Sequence, residues 1–540
     1  MLFEEPLLRG ELARSCGTHP SRGLRGAISI FCVFLVSILQ EMHGANVTGV
    51  EDEGQQVDLA KLSPEALTRR ACTICHMFTE PSMLTKKNWR EQILPRMGVE
   101  LGIFPPDYSK SAEGELLRSK HIYPDAPRIP KELWPKIEDY ILRTAPDEPL
   151  PQSPHAEIEV GLKQFQVVAP SFRRQPPTTT LVKISPKTHR IFVGDDREKK
   201  LFVLDANGRL LETIDVGNVP VDVVESEKGI YVTCIGSFMP SEYYRAEFMF
   251  LERKGDGFGP PKTILKGLPR AVQAQFADFN GDGREDFALC MFGNRTGRFS
   301  WFENKGNDHY EEHILIDHSG SMYCHVRDFN GDGKPDLAVL VAQELEMLVI
   351  FLNDGKGNFS SNVVFQKSPA FGHSWFEPVD FNKDGLLDFV VVNGDNGEYD
   401  SPTKNYHGIR ILLNEGNLRF REAFFYPLNG AYKALARDFD GDGDLDIAAI
   451  SYFPDYAKTP RESFVFLENL GDMKFKASTF PQCIAGRWLV MDAADLDGDG
   501  DLDIVLGSHI AGPKAVPTFL YESWKKQGIP ILILRNVLRP

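Results

Sequence analysis

The chain has 540 residues, of which 42% are hydrophobic and 11% aromatic, with a formal net charge of −16. That length allows two or three domains, and the apolar content excludes a disordered chain. The 46 Gly and 36 Pro suit many short strands and turns.

Residues 26–39, GAISIFCVFLVSIL, are apolar and follow a basic stretch with Arg9, Arg14, Arg22 and Arg25. Fourteen residues are short for a bilayer span and suit the core of a signal peptide. Residues 1–45 are expected to be a signal peptide, with a small-residue site at Gly44-Ala45, or an uncleaved N-terminal anchor. Either way the bulk is exported, to the periplasm, the outer surface or the extracellular space. No other apolar run is long enough to cross a membrane, so any membrane contact is through that anchor.

Residues 46–57 read as a linker into a helical segment at 58–146. Ser63-Pro64 marks a helix start, the hydroxyl capping and the proline at the first position. The run PEALTRRACTICH then places Cys72, Cys75 and His76 at i, i+3 and i+4, on one face of a turn. C-x-x-C-H is the spacing that attaches a c-type haem. Two thiols reach the two vinyls of one porphyrin while the imidazole reaches iron. A thioredoxin-type pair needs a βαβ setting, and a zinc site needs a second Cys or His pair. A Cys72–Cys75 disulfide leaves His76 unexplained. The opposite axial position is assigned to Met97, in WREQILPRMGVELG, after a helix expected to break at Pro95. Met83 and His121 are the alternatives. KELWPKIEDYILRTAP (131–146) sets Leu133, Trp134, Ile137, Tyr140 and Ile141 along one helical stripe. A linker follows at 147–160, and its first part, DEPLPQSPH, reads as a semi-rigid spacer.

Five stretches then repeat at intervals of 50, 52, 58 and 57 residues. They are DFNGDGRED at 278–286, DFNGDGKPD at 328–336, DFNKDGLLD at 380–388, DFDGDGDLD at 438–446 and DLDGDGDLD at 495–503. Each puts oxygen side chains at positions 1, 3, 5 and 9. These are Asp278, Asn280, Asp282 and Asp286; Asp328, Asn330, Asp332 and Asp336; and Asp380, Asn382, Asp384 and Asp388. The last two loops offer Asp438, Asp440, Asp442 and Asp446, then Asp495, Asp497, Asp499 and Asp503. Ca²⁺ takes about six to eight oxygens at roughly 2.3–2.6 Å, and alternate residues of a tight loop converge on one ion. About five bound Ca²⁺ are expected. An EF-hand would need Glu at position 12, where the first two loops have Leu289 and Val339. Seventeen of the ligands are carboxylates, so the acidity is mostly metal-site charge and implies neither nucleic acid nor a cationic substrate.

A strand-turn unit follows each loop: SWFENKGNDHY (300–310), VIFLNDGKGNF (349–359), ILLNEGNLRF (411–420), FVFLENLGDMKF (464–475) and ILILRNV (531–537). Two more, at 201–210 and 249–258, have no acidic loop before them. Seven such units imply seven blades, the first two without calcium. The last blade lacks a fourth strand, and LKQFQVVAPSF (162–172) is expected to complete it, because radial closure removes exposed edges.

On these motifs residues 161–540 resemble the FG-GAP and VCBS calcium-loop β-propellers, the type found in integrin α chains and many secreted bacterial proteins. The resemblance implies a mainly β fold whose loops hold calcium for rigidity and not for catalysis. Residues 58–146, with an opening helix, the haem motif and a closing aromatic helix, resemble a class I cytochrome c domain. That implies one covalent haem c.

Cys234 and Cys290 fall at matching strand positions and read as buried small hydrophobes, while Cys324 and Cys483 are candidates for a disulfide. His325, His373, Trp375, Trp488 and His509 lie near the acidic loops and are read as packing at a propeller face. No nucleophile elbow, phosphate loop or acid/base constellation is visible. The preferred reading is an electron-transfer or redox-linked binding protein. Its propeller would dock a redox partner protein, a glycan or a cell-surface ligand. The alternative is a propeller-based oxidoreductase or lyase acting on an extracellular substrate such as a carbohydrate, with the haem as electron acceptor.

Overall fold

The computed structural model describes residues 58–397 and 401–538. The expected signal peptide or anchor and the linker at 46–57 lie outside the described residues. No helix among the described residues is long and apolar enough to cross a membrane.

Seven antiparallel sheets make a seven-bladed β-propeller. Blade 1 runs Thr179–Ser185, Arg190–Asp195, Lys200–Leu204 and Leu210–Asp215. Blade 2 runs Pro220–Glu225, Gly229–Cys234, Ala246–Lys254 and Lys262–Leu268, and blade 3 runs Ala271–Ala277, Asp286–Met291, Arg298–Gly306 and His309–Ile316. Blade 4 comprises Ser321–Arg327, Asp336–Val341, Met347–Asn353 and Phe359–Gln366. Blade 5 comprises His373–Val379, Asp388–Asn393, Gly408–Asn414 and Phe420–Pro427. Blade 6 comprises Ala431–Arg437, Asp446–Ser451, Phe464–Asn469 and Phe475–Thr479.

Blade 7 closes the ring. Its first three strands are Trp488–Ala494, Asp503–Ser508 and Ile531–Asn536, and its fourth is Phe165–Val168 from the other end of the repeat region. Phe165 pairs with Asn536 and Val168 with Ile533, so no blade edge is left open there. Closure by the 162–172 segment is as the sequence implies.

The second strands explain why the acidic loops run into unbroken apolar stretches. Asp286–Met291, Asp336–Val341, Asp388–Asn393 and Asp446–Ser451 are buried at every residue. Each is central in its sheet and packed on both faces by neighbouring blades, so period-two alternation is lost. The cores form between blades: Cys290, Phe299 and Trp301 of blade 3 pack with Cys324, Leu337 and Val349 of blade 4. Each large side chain buried this way contributes roughly 1.5–3 kcal/mol.

Ahead of the propeller lies a segment of short helices. Ser63 caps Pro64–Cys72, its hydroxyl accepting from Ala66 N at 3.2 Å. Leu133, Trp134, Ile137 and Ile141 of the closing helical stretch, whose α-helix is Trp134–Thr144, are buried. Tyr140 stays half-buried at the stripe's edge.

The opening helix stops at Cys72, with Cys75 and His76 in the turn beyond it. Two β-branched residues, Thr73 and Ile74, follow, and the Thr73 hydroxyl donates to the Arg69 carbonyl at 2.9 Å. One reading of this region needs correction: the helix before Met97 is not broken at Pro95. A π turn at Trp89–Ile93 passes directly into Leu94–Glu100, with Leu94 N–H bonded to Trp89 O. The wide turn absorbs the proline's missing donor.

The spacer is docked, not free. Gln152 Nε2 donates to Thr403 O at 3.3 Å and His155 Nε2 lies 3.3 Å from Glu462 Oε1. Glu159–Val160 then adds a parallel strand to Phe475–Thr479 of blade 6.

The five acidic loops join first to second strands in blades 3–7. Loops joining second to third strands leave the opposite end of the blades, and there the helical segment sits. Glu113 accepts from Ser241 Oγ at 2.6 Å and Glu242 N at 2.7 Å, and Arg295 pairs with Glu100 at 2.5 Å.

Candidate functional site

The haem-motif side chains converge on a cavity of about 1010 Å³ between the helices and the propeller. Cys72, Cys75, His76 and Met97 line it together with Trp89, Ile93, Leu101, Trp134 and Ile137. Its volume stands at the upper end of the ~300–1,000 Å³ typical of ligand pockets. Burial pushes the Cys72 thiol up to about 12. Burial also raises Cys75, against the pull of the nearby Arg128 guanidinium, whose Nη1 donates to Cys75 Sγ at 3.3 Å. His76 Nδ1 lies 2.8 Å from Met77 O. A carbonyl partner requires the proton on Nδ1, which leaves Nε2 with its lone pair for a metal.

The three candidates for the opposite axial position separate. Met97 lines the cavity. Met83 receives the Ser368 hydroxyl on its sulfur at 3.7 Å, and Tyr406 OH donates to its carbonyl at 3.3 Å. His121 is exposed, its imidazole 4.0 Å from Asp125. Of the three, only Met97 shares the cavity with the motif. The donor set suits a haem: two thiols, an imidazole with one free nitrogen, a thioether and an apolar wall. Trp134 lines the same wall with its indole Nε1 lacking any hydrogen-bond partner, a donor available to a polar ligand edge.

The propeller supplies the polar wall, from first strands. Several of its side chains reach across to the backbone of the next blade. Asp222 accepts from Ala274 N (3.1 Å), Gln273 from Cys324 N (2.7 Å), Glu377 from Ala436 N (3.0 Å) and Asp492 from Ile184 N (2.8 Å). His325 Nε2 donates to Phe376 O at 3.2 Å. Burial moves His325 down to about 3 and Asp222 up to about 6. These perturbed groups fasten the ring, and perturbation alone does not make them chemical.

His325, His373 and Trp375 line the cavity, on the propeller side. Trp488 and His509 are wholly buried. Cys234, Cys290, Cys324 and Cys483 are buried free thiols. The Cys290 thiol is hydrogen-bonded to that of Cys324, whereas Cys483 Sγ points at Arg461 O at 3.7 Å. A Cys324–Cys483 disulfide is thus excluded, because Cys324 faces blade 3.

The five acidic loops share one internal pattern. In the first, Asp278 accepts from Gly281 N (2.8 Å) and Gly283 N (2.8 Å), a wrap that uses positive φ at both glycines. Asp328 makes the same wrap with Gly331 and Gly333. The Asp380 loop keeps the second bond, to Gly385, while Lys383 takes a positive φ beside Asn382 and Asp384. Asp438 and Asp495 repeat the pair of glycine bonds. The ligand oxygens of Asp438, Asp440 and Asp442 lie within 4.8 Å of one another, as do those of Asp495, Asp497 and Asp499. Position 9 also anchors the backbone around it. Asp286, Asp336, Asp388, Asp446 and Asp503 are buried and bind two backbone N–H groups each. In the last loop Arg535 Nη1 lies 2.7 Å from Asp497 and 3.1 Å from Asp503, a cation already among the ligand oxygens.

Sequence reasoning missed the asparagine at or near the end of the third strand in blades 3–7. Asn304, Asn353, Asn414, Asn469 and Asn536 each donate from Nδ2 to the carbonyl just before the position-9 aspartate. Asn353 and Asn536 also reach the preceding blade, at Phe279 O and Phe439 O. The signal was present, since this Asn occupies the same place in each of those five strand-turn units.

Four windows, 278–339, 328–391, 380–449 and 438–506, match the FG-GAP-like repeat. The chain carries FG-GAP-like repeats on a seven-bladed propeller. Among curated proteins, none matches it. A putative 6-phosphogluconolactonase from Bacteroides uniformis is similar at 14% identity over 55% of this chain and 82% of that one, with a TM-score of 0.38. Sqt1 from Saccharomyces cerevisiae is similar at 10% identity over 68% and 99%, with a TM-score of 0.41. No function transfers from likeness of that order.

Proposed function

We propose that this FG-GAP-repeat propeller belongs to an exported c-type haem protein that transfers electrons or couples binding to redox state. The observation that carries the reading is the convergence of Cys72, Cys75, His76 and Met97 on one cavity with an apolar helical wall. A haem bound there supplies one-electron chemistry. Cys72 and Cys75 would hold it through thioethers, and His76 would offer Nε2, its ring fixed by the Met77 carbonyl. Met97 would offer its sulfur, a ligand that raises the potential of a His-ligated haem. Trp89, Leu101 and Ile137 would exclude water, and Trp134 and Arg128 would donate to the polar edge.

About five Ca²⁺ in the acidic loops would hold the blades rigid at the far end. Ile74 and Met77, each 42% exposed, flank the motif and give a redox partner protein an apolar contact beside it. A glycan or cell-surface ligand would be a second contact, on the propeller. The alternative, an oxidoreductase or lyase acting on an extracellular substrate such as a carbohydrate, draws on one observation: the polar first strands of the propeller line the same cavity as the motif.

The test is covalent attachment. Expressed in a host that matures c-type cytochromes, the protein keeps its Soret band after acid–acetone extraction, and Cys72→Ala with Cys75→Ala loses it. A covalent haem spectrum unchanged in that double variant sinks the reading.

A further inference from the structure

Where the first strands line the central channel of the propeller, two cations are paired with carboxylates. Lys183 lies 3.8 Å from Asp492, and Arg437 lies 2.7 Å from Glu377. Asp492 and Glu377 also accept the backbone bonds that fasten neighbouring blades, as does Asp222. Lys433 forms no ion pair or hydrogen bond among the described residues; its ammonium sits 4.0 Å over the ring of Trp375. Burial lowers its pKa to about 8, partly offset by Asp492, Glu377 and Asp222 at longer range. It remains largely charged at neutral pH, beside carboxylates already committed elsewhere.

Around it stands an aromatic wall. The Tyr323 ring meets Trp375 edge-on at 4.5 Å, and His325 does so at 6.2 Å. His325 is held neutral by its burial and adds no positive charge. All of these residues line the cavity described above. A single unmatched ammonium at the rim of aromatic faces fits one negative charge on a small apolar body. A phosphate or sulfate dianion would want forked donors, which a single ammonium does not supply.

We propose that the channel end of the cavity is a binding site for a small monocarboxylate, with Lys433 as its counter-charge and Trp375 and Tyr323 as its apolar wall. The site does not depend on the haem reading, since every residue in it belongs to the propeller.

Calorimetric titration of the full chain tests it, with benzoate as probe and benzamide as its uncharged counterpart. Benzoate is expected to bind saturably and benzamide at least tenfold more weakly. Lys433→Met is expected to weaken benzoate at least tenfold and erase the difference, and Lys433→Arg to preserve it. Absence of saturable benzoate binding to the wild type overturns the proposal, as does equal binding of benzamide. Unchanged benzoate affinity in Lys433→Met, or tighter binding of sulfate than of benzoate, does so too. The wild-type comparison stands even if a Lys433 variant folds poorly.

Discussion

Asn353 offers a sharp test of what holds one blade to the next. It ends the third strand of blade 4 and is 3% exposed. Its Nδ2 donates to Phe279 O of blade 3 at 2.9 Å and to Pro335 O at 3.1 Å, and its Oδ1 accepts from Gly355 N at 2.9 Å. Asn353→Ala removes all three bonds, although Phe279 O keeps a second donor, Gly357 N at 3.0 Å. Because that carbonyl stays hydrogen-bonded, the bond lost from it counts at the net value of about 0.5–1.5 kcal/mol. The two bonds within the turn are nearer solvent and count at the net value of about 0.5–1.5 kcal/mol each. The total is roughly 1.5–4.5 kcal/mol, a large share of the ~5–15 kcal/mol stability of a typical fold.

Asn353→Asp keeps the shape but removes both donors and turns a negative charge toward two carbonyl oxygens, so it should cost at least as much. Asn358→Ala is the control: it lies in the same turn, is exposed and bonds only Asp354 through its side chain. Its cost should stay within about 0.5 kcal/mol. Urea titration at saturating calcium measures all three. A cost below about 1 kcal/mol for Asn353→Ala, or an Asp variant more stable than the Ala variant, refutes the interblade role.

Chelation by EGTA should lower the unfolding temperature, because each site contributes roughly 2.7 kcal/mol at a hundredfold calcium excess over Kd. Metal analysis should find close to five calcium ions, and a melt indifferent to EGTA would mean the loops are only turns. Arg535→Met should tighten calcium binding at the blade 7 loop by removing the guanidinium beside Asp497 and Asp503; unchanged or weaker affinity there counts against competition. The strap at 147–158 should be pH-sensitive. His155 is raised above its usual value, chiefly by its bond to Glu462, so the latch holds fully below about pH 6.5 and is lost as pH rises through the higher folded-state value. Limited proteolysis in the strap should accelerate between pH 6 and pH 8.5, and His155→Asn should flatten that trend. Faster cutting at the lower pH would reverse the sign and discard the latch.

How much was legible follows from the range of each interaction. The acidic loops are contiguous in sequence and repeat, so their number, their place between strands and the ring closure could all be read. The stripe on 131–146 was readable for the same reason: one helix face is a local pattern. The interblade asparagines recur just as regularly, but their partners, such as Phe279 for Asn353, sit a blade away, and no local rule names them. Likewise the strap looked like a free proline-rich spacer because Thr403, Glu462 and the edge of blade 6 lie hundreds of residues downstream. The helix Thr518–Gln527, inserted between the second and third strands of blade 7, was missed although Gly528 closes it in a left-handed turn. Its anchor is Trp524, whose indole donates to Ile484 O at 2.8 Å, again a partner no periodicity reveals.

The same distinction sorts the titratable groups of the channel. A residue in a cavity with a displaced pKa invites a catalytic assignment, and Asp222 and His325 both stand in this one, with Asp492 and Glu377 beside them. Each, however, spends a lone pair or a proton on the backbone of the adjoining blade, a requirement set by closing seven sheets around an axis. Replacing any of them should loosen the ring before it alters chemistry. Lys433 meets no such requirement: among the described residues its side chain forms no hydrogen bond to a neighbouring blade, and its ammonium lies over the Trp375 face. A group that is costly to keep in a channel and serves no closure is where ligand chemistry should be sought. That is why the carboxylate site is assigned there and not to the more strongly perturbed His325.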